Sequence, residues 1–170
     1  IIFDDFHWRI LVLCPSNLIK MWEDYFSEYQ IPATILSHAK TIRELPDLKI
    51  HHLVIIDESH NLRNRQSKRY QAVKNYINNN GSKVVLLSAT PYNKSYDDLS
   101  SQLRLFLDES EDLGIRPEEY IKSLGGTERY HEKHQSPIRT IGAFENSNYT
   151  DDWRELMRLF MVRRTRSFIA

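Results

Sequence analysis

The chain has 170 residues with 23 basic and 23 acidic side chains, so its net charge is zero and does not indicate a nucleic-acid partner. Apolar residues make up 41% and charged residues 27%, which is typical of one folded, soluble domain and excludes a disordered chain. The single cysteine, Cys14, excludes a disulfide framework and a multi-cysteine zinc site, so we expect a cytoplasmic or nuclear protein that is not secreted.

The apolar runs of the sequence are far shorter than the roughly 18 residues that cross a bilayer, so no membrane partner is expected. The first residues contain Asp4 and Asp5 and no basic residue before Arg9, which does not fit a signal or transit peptide. The chain also lacks an initiator methionine. We therefore expect it to begin inside a longer protein.

Four short runs rich in Val, Ile and Leu predict β-strands at residues 10–14, 34–37, 53–57 and 84–88. The third and fourth runs, LVIID and VVLLS, are apolar at consecutive positions, which predicts burial on both faces. Strands of that kind belong to parallel sheets covered by helices.

Three helices are predicted between and after these strands. The first follows Pro15 and Ser16 and has an apolar stripe at helical spacing, made of Leu18, Met21, Trp22, Tyr25, Phe26 and Tyr29. The second begins at a Ser67 cap and ends at Gly81, and the third runs from a capping box at Ser95 to Leu107.

The remaining sequence is less regular. Residues 108–150 contain repeated Gly and Pro, which predicts a loop-rich insertion with one short helix at 118–124. A helical stripe returns at 153–168. Alternating strands and helices predict an α/β fold with right-handed crossovers, in which ligands bind at the carboxyl ends of the parallel strands.

The strongest chemical signal lies at one such strand end, where Asp57, Glu58, Ser59 and His60 follow the apolar run LVII. A carboxylate there can hold Mg²⁺ while its neighbour orients or deprotonates an attacking water, which suits phosphoryl transfer to water. The alternative is structural, with Asp57 capping the following turn and Glu58 facing solvent.

Other motifs stand in order around this acidic pair: CPSNLIKMW before it, then LLSATPYNK and LMRLFMVRRTRSF after it. Together with VIIDESHNLRN, this set resembles the helicase-like ATPases of superfamily 2, and most closely their Swi/Snf group. The resemblance implies a RecA-like fold of the P-loop NTPase type, and a single partial ATP-binding lobe over residues 1–170 with the insertion at 108–150.

The resemblance also implies roles for individual residues, with ATP and Mg²⁺ as cofactors. Asp57 corresponds to the residue that coordinates the Mg²⁺ of MgATP, and Glu58 to the one that polarises the hydrolytic water. His60 links the nucleotide site to the coupling motif made of Ser88, Ala89 and Thr90.

Contacts with two partners are implied as well: double-stranded DNA and a second RecA-like lobe of the same polypeptide. Pro15, Ser16 and Asn17 correspond to a motif that contacts the DNA backbone, and a helix start suits phosphate binding. Ser37 and His38 fall where a second such motif is expected. Arg163 and Arg164 correspond to residues that brace the junction with the second lobe.

The sequence departs from this family at the phosphate-binding loop. None of its five glycines belongs to a G-x-x-x-x-G-K-[ST] motif, which is expected before Ile10, and the motifs of a second lobe are missing. The sheet is thus expected to be incomplete at its N-terminus, and the isolated chain to hydrolyse ATP poorly or not at all.

Three functions remain open at this point. The resemblance favours a translocase that couples ATP hydrolysis to movement on double-stranded DNA. The Ser-Ala-Thr motif at 88–90 leaves open a strand-separating helicase of a restriction or repair system. A lobe without its phosphate-binding loop could also serve as a non-catalytic docking module for DNA or protein.

Four further patterns have competing interpretations. Trp22, Tyr25 and Phe26 are expected to pack in the core rather than stack on bases. The basic run 63–74 either contacts DNA phosphates or faces solvent. His51 and His52 are expected at the surface, and a zinc site at His131 and His134 is disfavoured because two ligands do not make a site.

Overall fold

The computed structural model describes residues 8–90 and 95–162. Its centre is a sheet of four parallel strands: β1 (Ile10–Cys14), β2 (Ala33–Ser37), β3 (Leu53–Ile56) and β4 (Lys83–Leu86). Their order across the sheet is β2-β1-β3-β4, with Val12 in register with both Ile35 and Ile55. The predicted parallel α/β fold is confirmed, with each strand boundary within a residue or two of its prediction.

The burial of each strand depends on what covers its two faces. All five residues of β1 are buried because alternate side chains pack into two different hydrophobic clusters, one on each face of the sheet. The expectation that the VVLLS run is buried on both faces is wrong: Val85 is 42% and Leu87 is 37% exposed. The run forms β4, which is the edge strand in this part of the molecule, and an edge strand has a neighbour on one side only.

Helix α1 (Ile19–Glu28) covers one face of the sheet and is preceded by a 3-10 turn, Ser16–Leu18. Its buried residue, Phe26, packs with Ile10, Val12 and Cys14. The predicted core stripe is only partly buried, because Met21, Tyr25 and Tyr29 are each at least half exposed. The helix thus contacts the sheet through a narrower face than its apolar stripe suggests.

The opposite face of the sheet is covered by α3 (Lys68–Asn80), together with the short helix α2 (Thr41–Glu44). The predicted cap is present, since the Ser67 hydroxyl accepts a hydrogen bond from the Tyr70 backbone N–H at 3.1 Å. Gly81 ends α3 with φ of 58°, a left-handed conformation that favours glycine. Both predicted boundaries of this helix are confirmed.

Helix α4 (Tyr96–Leu103) is shorter than predicted. It ends at Leu103 rather than Leu107, because the backbone turns through Leu105 and Phe106, whose N–H groups bond to the residues three positions before them. Ser95 does not cap this helix: its hydroxyl hydrogen-bonds to the Asp97 carboxylate instead of accepting a backbone N–H.

The described residues divide into two compact units between Phe106 and Leu107. The second unit is more helical than the loop-rich insertion we expected. The predicted helix at 118–124 is present as α5 (Glu118–Leu124), and it is followed by α6 (Thr127–His134), α7 (Ile141–Glu145) and α8 (Thr150–Phe160). The last helix therefore begins earlier and ends earlier than the 153–168 stripe predicts.

The second unit has its own core around Ile121, Tyr130 and Ala143. The buried Asp152 of α8 accepts hydrogen bonds from the backbone N–H groups of Glu119 and Tyr120, at 2.8 and 3.0 Å. These groups lie at the start of α5, where backbone donors lack partners within the helix. In neither unit is any described helix long and apolar enough to cross a membrane.

Candidate active site

The carboxyl ends of the strands carry the residues that the sequence singles out, and backbone hydrogen bonds continue past the strand ends. The Asp57 N–H donates to the Leu13 carbonyl at 2.8 Å, and the His38 N–H donates to the Cys14 carbonyl at 2.9 Å. These bonds extend the parallel ladder by one residue on each side of β1. The backbones of His38 and Asp57 are therefore still paired with β1.

The side chain of Asp57 is oriented by two hydrogen bonds. Its Oδ1 accepts from the Glu58 backbone N–H at 2.9 Å, and its Oδ2 accepts from the Trp22 indole Nε1 at 3.0 Å. The His38 Nε2–H also donates to the Asp57 backbone carbonyl at 2.8 Å, because a carbonyl oxygen can only accept. Asp57 thus has partners from both α1 and the segment that follows β2.

Glu58 has a left-handed backbone conformation, with φ of 49° and ψ of 49°. This conformation costs a residue with a side chain roughly 1–2 kcal/mol. It is supported by Asn61, whose side-chain amide and backbone N–H both donate to the Glu58 carbonyl, at 2.9 and 3.0 Å. Such strain is concentrated at functional sites, where it fixes the direction of a side chain.

Glu58, His60 and Ser88 lie side by side. The His60 Nδ1 is 3.1 Å from the Glu58 Oε2 and 3.4 Å from the Ser88 hydroxyl oxygen. The Thr90 backbone N–H donates to that same hydroxyl at 3.2 Å. A continuous polar chain therefore runs from the second carboxylate to the Ser-Ala-Thr motif, in which Ala89 and Thr90 are exposed.

The turn Ser59–Leu62 is tied to α4 by polar contacts. The buried Ser59 hydroxyl donates to the Gln102 side-chain oxygen at 2.7 Å, and Arg63 forms an ion pair with Asp98 at 3.3 Å. Arg65 donates to the hydroxyls of two further α4 serines. The guanidinium groups of Arg63 and Arg65 thus contact α4, and a DNA contact by the basic run stays a prediction.

The two segments predicted to contact DNA differ in exposure. Ser16 and Asn17 are exposed and Pro15 is half-buried, at the turn that leads into α1. Ser37 and His38 are buried, only 3% and 6% exposed. A DNA contact stays a prediction for both segments, and in the second segment the exposed surface belongs to residues 39 and 40.

Burial changes the acid–base properties of two groups near the edge. Burial lowers the pKa of His38, which favours the neutral imidazole. A neutral ring carries one N–H, and that is enough for the hydrogen bond to the Asp57 carbonyl. Burial, with the nearby charge of Asp57, raises the pKa of the Cys14 thiol to about 11. Cys14 is therefore a buried structural thiol, as the apolar strand predicts.

Sequence reasoning missed the contacts of Trp22, His38 and Gln102 with the acidic turn. Each joins residues far apart in the chain, and each depends on which strands are neighbours in the sheet. Trp22 could have been found from its place on the helix that directly follows β1. That helix packs on the face of β1, and β1 lies beside β3, the strand that ends at the acidic turn. Arg163 and Arg164, predicted at an interlobe junction, lie outside the described residues.

The oxygen donors at the carboxyl edge of the sheet suit a metal ion whose remaining ligands come from the substrate. Throughout 8–90 and 95–162, no group of three or more His, Cys, Asp or Glu side chains could hold a metal ion, His131 and His134 included. A carboxylate with free lone pairs at the end of a parallel strand does fit Mg²⁺, which is held by one or two carboxylates plus substrate phosphates. Asp57 has the position and the free lone pairs that such a ligand requires.

Comparison with known proteins agrees with this arrangement. Residues 33–169 match the SNF2-related domain family. The chain is 28% identical over 116 residues to a Bacillus subtilis (strain 168) protein named uncharacterized ATP-dependent helicase YqhH, covering 57% of this chain and 20% of that protein.

A solved structure shares the fold: the Sulfolobus solfataricus SWI2/SNF2 ATPase core in complex with dsDNA. It has a TM-score of 0.58 and 21% sequence identity, with 95% of this chain and 35% of that chain covered. The chain therefore spans about a fifth of the helicase relative and about a third of the ATPase core. The family match covers most of the chain, including the acidic turn and the Ser-Ala-Thr motif. The chain therefore belongs to the SNF2-related domain family.

Proposed function

We propose that the chain is part of the ATP-binding motor lobe of a DNA-dependent ATPase that couples MgATP hydrolysis to movement on double-stranded DNA. The observation that carries the proposal is the Asp57–Glu58 pair at the end of β3, with Asp57 fixed by hydrogen bonds and Glu58 held in a strained conformation. Three described non-glycine residues have a positive φ, and of these Glu58 differs from Gln30 and Gln135 in following a strand of the sheet, directly after a second carboxylate.

The two carboxylates have separate roles in this proposal. Asp57 would hold the Mg²⁺ of MgATP, which would supply positive charge to the phosphates. Glu58 orients and polarises the attacking water, and its neighbour His60, 3.1 Å away, keeps the carboxylate aimed at the edge of the sheet. Hydrolysis thus depends on Glu58 for the water and on Asp57 for the metal.

Coupling to DNA passes through the polar chain at the same edge. His60 contacts Ser88, and the Thr90 backbone N–H donates to the Ser88 hydroxyl. A shift of the Ser-Ala-Thr motif would therefore move the His60 ring, which also contacts Glu58. The exposed Ser16 and Asn17 offer polar groups to a DNA phosphate at the start of α1. The SWI2/SNF2 ATPase core that shares this fold is described in complex with dsDNA, which supports the same partner here.

The rest of the nucleotide site comes from outside these 170 residues in our proposal. The sequence has no G-x-x-x-x-G-K-[ST] motif to hold the phosphates, so another part of the intact protein supplies it together with a second RecA-like lobe. The isolated chain is accordingly a poor or inactive ATPase, and the intact protein acts in the cytoplasm or nucleus.

A strand-separating helicase is the second candidate. It is favoured by the Ser-Ala-Thr motif at 88–90 and by the name of the Bacillus subtilis relative, an ATP-dependent helicase. Both candidates use the same hydrolytic residues and differ only in what happens to the duplex.

Triplex displacement and strand displacement by the full-length protein test the proposal. A translocase removes a third strand from a duplex when ATP is present and leaves a partial duplex intact. The helicase candidate instead unwinds the partial duplex. Glu58→Gln should abolish either activity while retaining MgATP binding. A full-length protein that binds DNA but no MgATP, and displaces neither strand, would contradict both candidates and indicate a docking module.

A further inference from the structure

The Asp57 carboxylate has few hydrogen bonds within the protein. An ionised carboxylate offers about four lone-pair sites. One site on Oδ1 is used by the Glu58 backbone N–H and one on Oδ2 by the Trp22 indole. One lone pair on each oxygen is left for a metal ion or its water, so the two donors fix the plane of the carboxylate without blocking it.

Trp22 is well placed to hold this orientation. Its ring stacks on Phe26, with centroids 5.7 Å apart and an interplanar angle of 25°, and Phe26 is buried against the sheet. An indole N–H is a donor only, so Trp22 cannot bind a metal itself. Its polar group can act at this site only by holding the oxygen of Asp57.

We propose that Trp22 is a positioning residue that orients the Asp57 carboxylate for the Mg²⁺ of the nucleotide. The inference rests on the proposed function, because it takes Asp57 as the metal ligand. Groups that hydrogen-bond to a metal ligand fix its orientation and influence the affinity for the metal. Here the donor comes from α1, and the exposed Ser16 and Asn17 belong to the 3-10 turn that precedes this helix.

A packing role for Trp22 makes a different prediction. If the ring only fills space between α1 and the sheet, then removing the N–H while keeping an aromatic ring affects stability alone. If the N–H orients the carboxylate, the same change weakens the contribution of Mg²⁺ to nucleotide binding. The two roles are separated by comparing Trp22→Phe with Ile35→Val, which reduces packing in the same cluster and keeps both the indole N–H and the Phe26 ring on which the indole stacks.

The experiment measures the affinity of the full-length protein for a non-hydrolysable ATP analogue with saturating Mg²⁺ and with EDTA. The ratio of the two affinities reports the contribution of the metal without any hydrolysis. We expect Trp22→Phe to lower this ratio roughly tenfold, the lower end of the effect for groups that support metal ligands. Ile35→Val should leave the ratio near the wild-type value, with a lower midpoint of urea unfolding.

Asp57→Asn, measured in parallel, separates failure of this inference from failure of the proposed function. If Asp57→Asn keeps the Mg²⁺-dependent ratio, Asp57 is not the metal ligand and the proposed role of the acidic pair is wrong. If Asp57→Asn lowers the ratio and Trp22→Phe does not, the positioning role of Trp22 is overturned. An equal fall in Trp22→Phe and Ile35→Val would also overturn it, because it would show that packing alone matters.

Discussion

Replacement of the buried His51 should make the stability of the chain less sensitive to acid. His51 is 4% exposed, although the sequence led us to expect it at the surface. The Tyr76 hydroxyl donates to the Lys49 carbonyl at 2.7 Å, so it accepts from the His51 Nδ1–H at 2.7 Å. The other ring nitrogen, Nε2, then accepts from the Thr34 hydroxyl at 3.0 Å.

This arrangement requires a neutral imidazole. Burial lowers the pKa of His51 from its ordinary value of 6.5, and the charge of Arg9 lowers it further. The unfolded chain therefore takes up the proton first as the pH falls below 6.5, and folding loses stability. When the folded state excludes one proton that the unfolded state binds, the free energy of unfolding falls by about 1.4 kcal/mol for each pH unit. Between pH 7.5 and 5.5, His51 then accounts for a loss of up to about 1.4 kcal/mol.

Urea unfolding of wild type and His51→Asn at these two pH values measures the effect. We expect the variant to be less stable at pH 7.5 by about 1–3 kcal/mol, because buried partners lose their hydrogen bonds. We expect this difference to shrink at pH 5.5. Tyr76→Phe is the control: it removes a partner but keeps the imidazole, so its stability should still fall with acid. An unchanged difference between wild type and His51→Asn at both pH values would refute the reasoning.

Three further predictions concern single residues. Glu58→Gly should raise the free energy of unfolding by about 1 kcal/mol, because glycine relieves the left-handed strain, and an equal or lower urea midpoint would contradict this. Asp152→Ala should lower that free energy by about 3 kcal/mol, since two backbone donors at the start of α5 lose a charged acceptor; a thermal melt with an unchanged midpoint would refute it. Cys14, fully buried and with a pKa of about 11, should react with a thiol reagent at pH 8 only after denaturant is added, and rapid labelling of the native chain would show otherwise.

The parallel sheet was predictable because its signal is local. Strands β1 and β3 are apolar runs bounded by polar residues, and α3 carries its cap at Ser67 and its stop at Gly81 in the sequence itself. The exposure of β4 was not predictable in this way. It depends on the order of the strands, and an edge strand can have the same composition as a central one.

The acidic turn was also found from sequence, because two carboxylates after a buried strand are unusual without a function. What the sequence did not show is how the turn is held. The Trp22 contact requires β1 beside β3, and the His38 contact requires β2 on the other side of β1. His51 was misplaced for the same reason, since its partners Thr34 and Tyr76 are remote along the chain.

The most direct test of the proposed motor function is ATP hydrolysis by the full-length protein, with and without double-stranded DNA, in wild type and Glu58→Gln. We expect hydrolysis by the wild type to rise when duplex is added and to collapse in the variant, with both proteins equally folded. Duplex-stimulated hydrolysis that survives Glu58→Gln, or no hydrolysis by the folded wild type, would contradict it.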